Sequence, residues 1–78
     1  MKFALKILPK PEVLDTQGRA VQTTLSTQGF ELKDCHVGKY IVLEVETQDE
    51  TKGLEMARAM AEKGLYNPLI EKYEVEAL

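Results

Sequence analysis

The middle of the chain carries its longest β-type run, Asp34–Glu46, in which Val37, Ile41, Val42, Leu43 and Val45 supply branched or bulky apolar side chains. The residues before this run read as strand then helix, and those after it as helix then strand. Any fold must therefore set one strand–helix unit on each side of a central extended region. In the second half of the run, Ile41, Leu43 and Val45 share one parity while Glu44 and Glu46 take the other. A three-residue loop, Gly38-Lys39-Tyr40, would pair residue 37 with 41 and 35 with 43, burying Val37 and Cys35 and leaving Asp34 and His36 outside. A two-residue loop would bury Asp34 and His36 instead. A one-residue slip exchanges the two faces, so burial favours the first register. A single strand bent at Gly38 keeps the same parity. If it runs on unbent, its far half is left to pair with another subunit.

The flanks are simpler. Phe3, Leu5 and Ile7 alternate with Lys2, Ala4 and Lys6, which predicts a strand ended by Pro9 and Pro11. Asp15 is placed to cap a helix of about three turns carrying Val21 and Leu25, stopped at Gly29. Gly18 inside that helix reads as a point of close approach to the sheet. Thr47-Gln48-Asp49-Glu50 has the form of a capping box. It opens a second helix with Leu54, Ala57, Ala61 and Leu65 on one stripe, ended by Gly64 and Asn67-Pro68. Leu69, Tyr73, Val75 and Ala77 then share the core parity of a last strand, broken by Glu71, opposite Lys72, Glu74 and Glu76.

The element order β-α-β-β-α-β predicts an α+β fold. It is a two-layer α/β sandwich of ferredoxin-like type, with an antiparallel sheet and both helices on one face, in a single domain spanning 1–78. The uncovered face would carry Ala4, Leu8, Tyr40, Val42, Ile70 and Leu78 among charged residues. That is more apolar than solvation requires, and it argues for self-association.

Composition narrows the function classes. With 10 Lys and Arg against 13 Asp and Glu, the formal charge is −3, and no long basic run is present to follow a phosphate backbone. Few aromatics and no Trp weaken a base-stacking role. The lone Cys35 excludes an internal disulfide framework and fits a reducing compartment. Charges alternate through Met1–Leu8, which reads as a strand and not as a signal peptide, and no apolar run approaches the ~20 residues of a membrane span. A soluble, cytoplasmic protein is expected, without nucleic acid or membrane as partner.

Cys35 beside His36 invites a nucleophile or metal reading, but neighbours in a strand point to opposite faces, and no second Cys or His completes a zinc site. No phosphate-loop, dinucleotide or nucleophile-elbow pattern is present. No catalytic, cofactor-binding or metal-binding residue is assigned.

Three stretches go further: Val13-Leu14-Asp15-x-Gln17-Gly18-x-Ala20-Val21, Val37-Gly38-Lys39-Tyr40-Ile41-x-Leu43-Glu44, and Asn67-Pro68-Leu69-Ile70-Glu71-x-Tyr73-Glu74-Val75. In this order they closely resemble the PurS family, the small subunit of phosphoribosylformylglycinamidine synthase, over nearly the whole chain. Cys35-His36 and the polar stretch 23–28 depart from the family pattern. The resemblance implies a subunit without an active site of its own in de novo purine synthesis. A PurQ-like glutaminase would release ammonia, and a PurL-like synthetase, using ATP and Mg, would consume it. The PurS-like chain would bridge the two as a homodimer or higher homo-oligomer, binding no cofactor itself. Within the matching stretches, Asp15, Gln17, Lys39, Tyr40, Asn67 and Glu71 are the candidate partner contacts. A reading from another class is a stand-alone ferredoxin-like regulatory domain that binds a small effector.

Overall fold

The computed structural model describes residues 1–78 and builds its core on β1 (Lys2–Pro9), the strand whose alternation is cleanest. Phe3, Leu5 and Ile7 are exposed by 1% or less, and β1 runs between two antiparallel neighbours, β2 (Lys39–Glu44) and β3 (Glu71–Ala77), in the order β2-β1-β3. The register pairs Leu5 with Ile41 on one side and with Val75 on the other, so the apolar parities of all three strands share one face. Helix α2 (Glu50–Met60) packs on that face over β1 and β3. Its Ala57, and Ala61 just beyond its end, are fully buried, Ala57 in a cluster with Phe3 and Val45, and Ala61 with Leu5 and Ile7. Small side chains on the helix let its backbone come close to the large ones on β1. The expected ferredoxin-like α+β sandwich is therefore the fold, with α1 (Thr16–Thr27) as its other helix.

The helix ends follow local chemistry. Asp15 caps α1, its Oδ1 accepting from the Gly18 N–H at 2.8 Å, and Gly29 stops it at φ 94°. The capping box of α2 is not used as expected. Asp49 is the N-cap, accepting from the N–H of Thr51 at 3.0 Å, while the Thr47 hydroxyl accepts from Asp49 N–H at 3.1 Å. A carboxylate is the stronger acceptor at the positive end of a helix, and it takes the position from the hydroxyl. After Met60 the helix widens into a π turn, Ala61–Leu65, ended by Gly64 at φ 149°.

The central run departs from the expected hairpin. Lys39 and Tyr40 already belong to β2, residues 30–38 join no strand, and Cys35 and Val37 are half-buried rather than core. Two contacts explain this. The Val37 N–H donates to Asp15 Oδ2 at 3.0 Å, which ties the segment to the start of α1 instead of to a neighbouring strand. Gly38 lies so close to the end of β1 that a Cβ there would strike the Ile7 carbonyl oxygen. The chain thus neither folds back as a hairpin at Gly38 nor forms one bent strand: only its second half, from Lys39, is strand.

Segment 30–37 and α1 lie side by side. Gln22 Nε2 donates to the Leu32 carbonyl at 3.0 Å, and Gly18 faces the Cys35 carbonyl so closely that no Cβ would fit. The close approach at Gly18 is therefore to this segment rather than to the sheet. The two form an arm with little contact to the sheet, while α2 packs on β1 and β3. The chain is 48 Å long, with a radius of gyration of 15.6 Å. A compact chain of this length would have about 11.5 Å.

Candidate functional site

The candidate contact residues fall into separate places. Lys39, Asn67 and Glu71 converge where β2 and β3 begin and β1 ends. Glu71 Oε2 lies 3.5 Å from Lys39 Nζ, while its Oε1 accepts from the Asn67 N–H at 2.7 Å. Glu71 sits on the core parity of β3 and is half-buried, so this double engagement is what makes a carboxylate tolerable there. Asn67 in turn accepts from the Leu69 N–H through Oδ1 at 3.0 Å, forming the turn that presents Leu69 at 81% exposure.

Asp15 is placed differently. Its carboxylate accepts from Gly18 N–H and Val37 N–H, and those two bonds, the Gly18 one first, hold its carboxyl below the ordinary value of 3.8. His36 completes the cluster, with Nδ1 3.5 Å from Asp15 Oδ2 and Nε2 2.8 Å from Asp34 Oδ2. His36 thus lies against the joint between α1 and the following segment, and its neighbour Cys35 is a free thiol. Gln17, in the first turn of α1, is exposed and free of these bonds.

Tyr40 belongs to a third place, the sheet face away from α2. There it pairs in register with Lys6 and is 59% exposed, beside Val42 at 50% and Leu8 at 41%. Ile70 and Leu78 are also exposed, as the parity predicts. Ala4 is the exception. It lies on this face but is fully buried, because its small side chain sits between Val42 and Glu76 of the flanking strands. Lys6–Glu76 at 3.3 Å and Lys2–Glu44 at 3.9 Å give the rest of the face its polar border.

On the helix side, α2 leaves β2 partly uncovered. A groove of about 530 Å³, lined by Leu43, Ala59, Met60, Lys63, Gly64 and Leu65, runs between the two. Beyond it the outer edge of β2 has no strand partner. The sequence pattern did not reveal this groove, nor the exposure of Val21 (41%) and Phe30 (58%) on the arm. The only hint was the reading in which the central run continues without folding back.

Near the other sheet edge, Tyr66 and Tyr73 both donate to the Glu62 carboxylate, at 3.2–3.4 Å, with their rings 4.6 Å apart. Burial first, and then the negative Glu62, push both phenols above their ordinary value. This arrangement fastens the π turn to β3 and keeps both hydroxyls engaged.

No helix is long and apolar enough to cross a membrane. Comparison with known proteins adds the family. Residues 2–78 match the PurS model, described as phosphoribosylformylglycinamidine (FGAM) synthase. The chain is 35% identical to the phosphoribosylformylglycinamidine synthase subunit PurS of Thermotoga maritima, covering 99% of this chain and 95% of that protein. It is also 35% identical to the subunit of the same name from Methanocaldococcus jannaschii, covering 96% and 92%. Among solved structures, the Thermotoga maritima purS subunit superposes with a TM-score of 0.91 at 35% identity, covering 99% of this chain and 90% of that one. A chain of the structure described as PurLQS from the same organism gives 0.90 at 35% identity, covering 99% and 95%. With one family model matching residues 2–78 and relatives matched nearly end to end, the chain belongs to the PurS family.

Proposed function

We propose that this chain is the non-catalytic bridging subunit of a cytoplasmic phosphoribosylformylglycinamidine synthase. It joins a PurQ-like glutaminase to a PurL-like, ATP-dependent synthetase and assists the transfer of ammonia between them. The observation that carries the reading is the end-to-end match, in sequence and in fold, to a chain of the structure described as PurLQS. The shape supports it: an elongated domain with an apolar sheet face, an uncovered groove and a projecting arm has more surface to give than a self-contained domain needs.

The chemical need is specific. At neutral pH, ammonia released into water is almost entirely ammonium, whose nitrogen has no free electron pair to attack with, and it diffuses away. A bridging subunit aligns two distant sites and keeps water out of the path between them, work that requires surfaces rather than a nucleophile or a metal. In this account the open face around Tyr40 and Val42 serves self-association. Gln17 and the Lys39–Glu71–Asn67 corner meet the partner subunits, and Asp15 shapes the arm that reaches them.

The test is assembly. The glutaminase and synthetase are mixed with and without this chain and resolved by size exclusion with light scattering. The glutaminase and the synthetase are expected to share one particle only when the chain is present. A glutaminase–synthetase particle that forms equally well without it would overturn the reading. The groove of about 530 Å³ favours one other reading, a regulatory domain that binds a small effector. That reading predicts a thermal shift with an amino acid or a nucleotide, and the bridging reading predicts none.

A further inference from the structure

The register of the sheet locates its unused hydrogen-bonding groups. Two bonds fix the ladder between β1 and β3: Lys10 N–H to the Ile70 carbonyl and Leu78 N–H to the Lys2 carbonyl, both 2.9 Å. Bonded positions alternate along an antiparallel pair, so Lys72, Glu74 and Glu76 turn their main-chain groups toward β1. Those of Tyr73, Val75 and Ala77 point away from the sheet, because β3 is its outermost strand. Proteins commonly blunt such an edge with a proline, a bulge or a very short strand. This edge has none of these. Its seven residues, Glu71–Ala77, pair with β1 without a skipped position and include no proline.

The charge of the strand selects a partner. Glu71, Glu74 and Glu76 stand against Lys72 as its only base, and Glu62 lies beside Tyr73. Lys39 answers Glu71 and Lys6 answers Glu76, while Glu74 is in no ion pair. A second copy would bring the same excess of carboxylates to this edge, whereas a basic segment neutralises it. Of the two larger subunits, the one that binds ATP must gather basic side chains around phosphates, while the other binds an amino acid without net charge.

The edge also begins at an anchor. Leu69 is the most exposed of the large apolar side chains, at 81%. Its turn is locked by the Asn67 carbonyl, which accepts from the N–H groups of Ile70 at 3.1 Å and Glu71 at 2.7 Å. Two residues span at most about 7 Å of extended chain, so a segment lying along β3 reaches Leu69. An apolar side chain already held in place loses little further freedom on binding.

We propose that the outer edge of β3 seats an extended basic segment of the synthetase as a fourth strand of the sheet. The segment alternates basic residues, on the side of Glu74 and Glu76, with apolar ones on the side of Tyr73 and Val75, and ends against Leu69. The proposal rests on the bridging reading and names the surface used for one of its two partners.

Hydrogen exchange at single amides tests this in the native chain, alone and with each larger subunit in turn. The amides of Tyr73, Val75 and Ala77 are expected to gain protection with the synthetase only. Ala77→Pro removes one outward N–H while leaving the ladder to β1 intact, and Ala77→Val keeps that N–H. The proline variant should bind the synthetase about tenfold more weakly with an unchanged melting midpoint, and the valine variant should bind as the native chain does. Protection already present in the chain alone would overturn the proposal and give the edge to a second copy. Protection with the glutaminase, or with neither subunit although both bind, would overturn it and leave the bridging reading standing. A native chain that binds neither subunit would overturn both.

Discussion

The body and the arm of this molecule are built by the same rules and end in opposite conditions. In the body, Phe3, Leu5, Ile7, Ala57 and Ala61 are buried almost completely between the sheet and α2 with its π turn. In the arm, α1 is capped and stopped as well as any helix, yet its one buried residue is Gly18, and Val21 and Phe30 stand open to solvent. Short helices are marginal on their own and draw most of their stability from packing an apolar face. The body therefore explains its own stability, and the arm, which buries little, does not. A subunit that works by touching others divides its chain in this way.

The comparison breaks most sharply in the body. Phe3→Ala is expected to cost about 3–5 kcal/mol, most of the stability of a domain this small, and to leave the chain largely unfolded by circular dichroism. Val21→Asp, at a side chain already 41% exposed, should leave the fold and the melting midpoint by circular dichroism nearly unchanged. If the arm variant unfolds and the body variant does not, the division is wrong.

The joint comes next. Gly38→Val places a side chain against the Ile7 carbonyl and is expected to cost about 1–3 kcal/mol, read from the urea midpoint. Removing the cap of α2 with Asp49→Ala should cost about 1 kcal/mol.

The cap of α1 adds a pH signature. The Asp15 carboxyl is held below its ordinary value in the folded chain by the N–H groups of Gly18 and Val37. Its contribution is therefore fully present above pH 3.8 and is lost as the pH falls through the lower folded value. The Val37 amide should lose protection against hydrogen exchange, measured relative to its intrinsic rate, over that acid range in the native chain. Asp15→Asn, which keeps only one acceptor oxygen for two N–H donors, should lack the step. The smallest effect on stability belongs to Lys39→Ala. It breaks an ion pair whose lysine is 53% exposed and should cost less than about 1 kcal/mol by urea, while weakening partner binding if that corner is a contact.

Legibility in the sequence divides along the same line. Alternation in Phe3, Leu5 and Ile7 and the small-residue stripe of Ala57 and Ala61 are local signals with local consequences, and the body is built from them. The cap at Asp15 and the stops at Gly29 and Gly64 were readable for the same reason. The central run was not, because its partner is not a neighbour. Val37 is taken by a carboxylate 22 residues earlier, a contact that no periodicity announces. Cys35 and Val37 carry a core parity without entering the core, because Asp15 and Gly18 hold their segment against α1 rather than in the sheet. Asp15, Lys39 and Glu71 stood out as contact candidates only through the family resemblance, and the structure gives them internal partners that composition alone would not predict.

The bridging role itself is tested most directly by reconstituting the synthase with its two larger subunits and comparing nitrogen sources. The account predicts that, without this chain, glutamine-driven synthesis collapses while synthesis from added ammonium salt largely survives, and that adding the chain restores the glutamine-driven rate. Equal glutamine-driven rates with and without it would contradict the account.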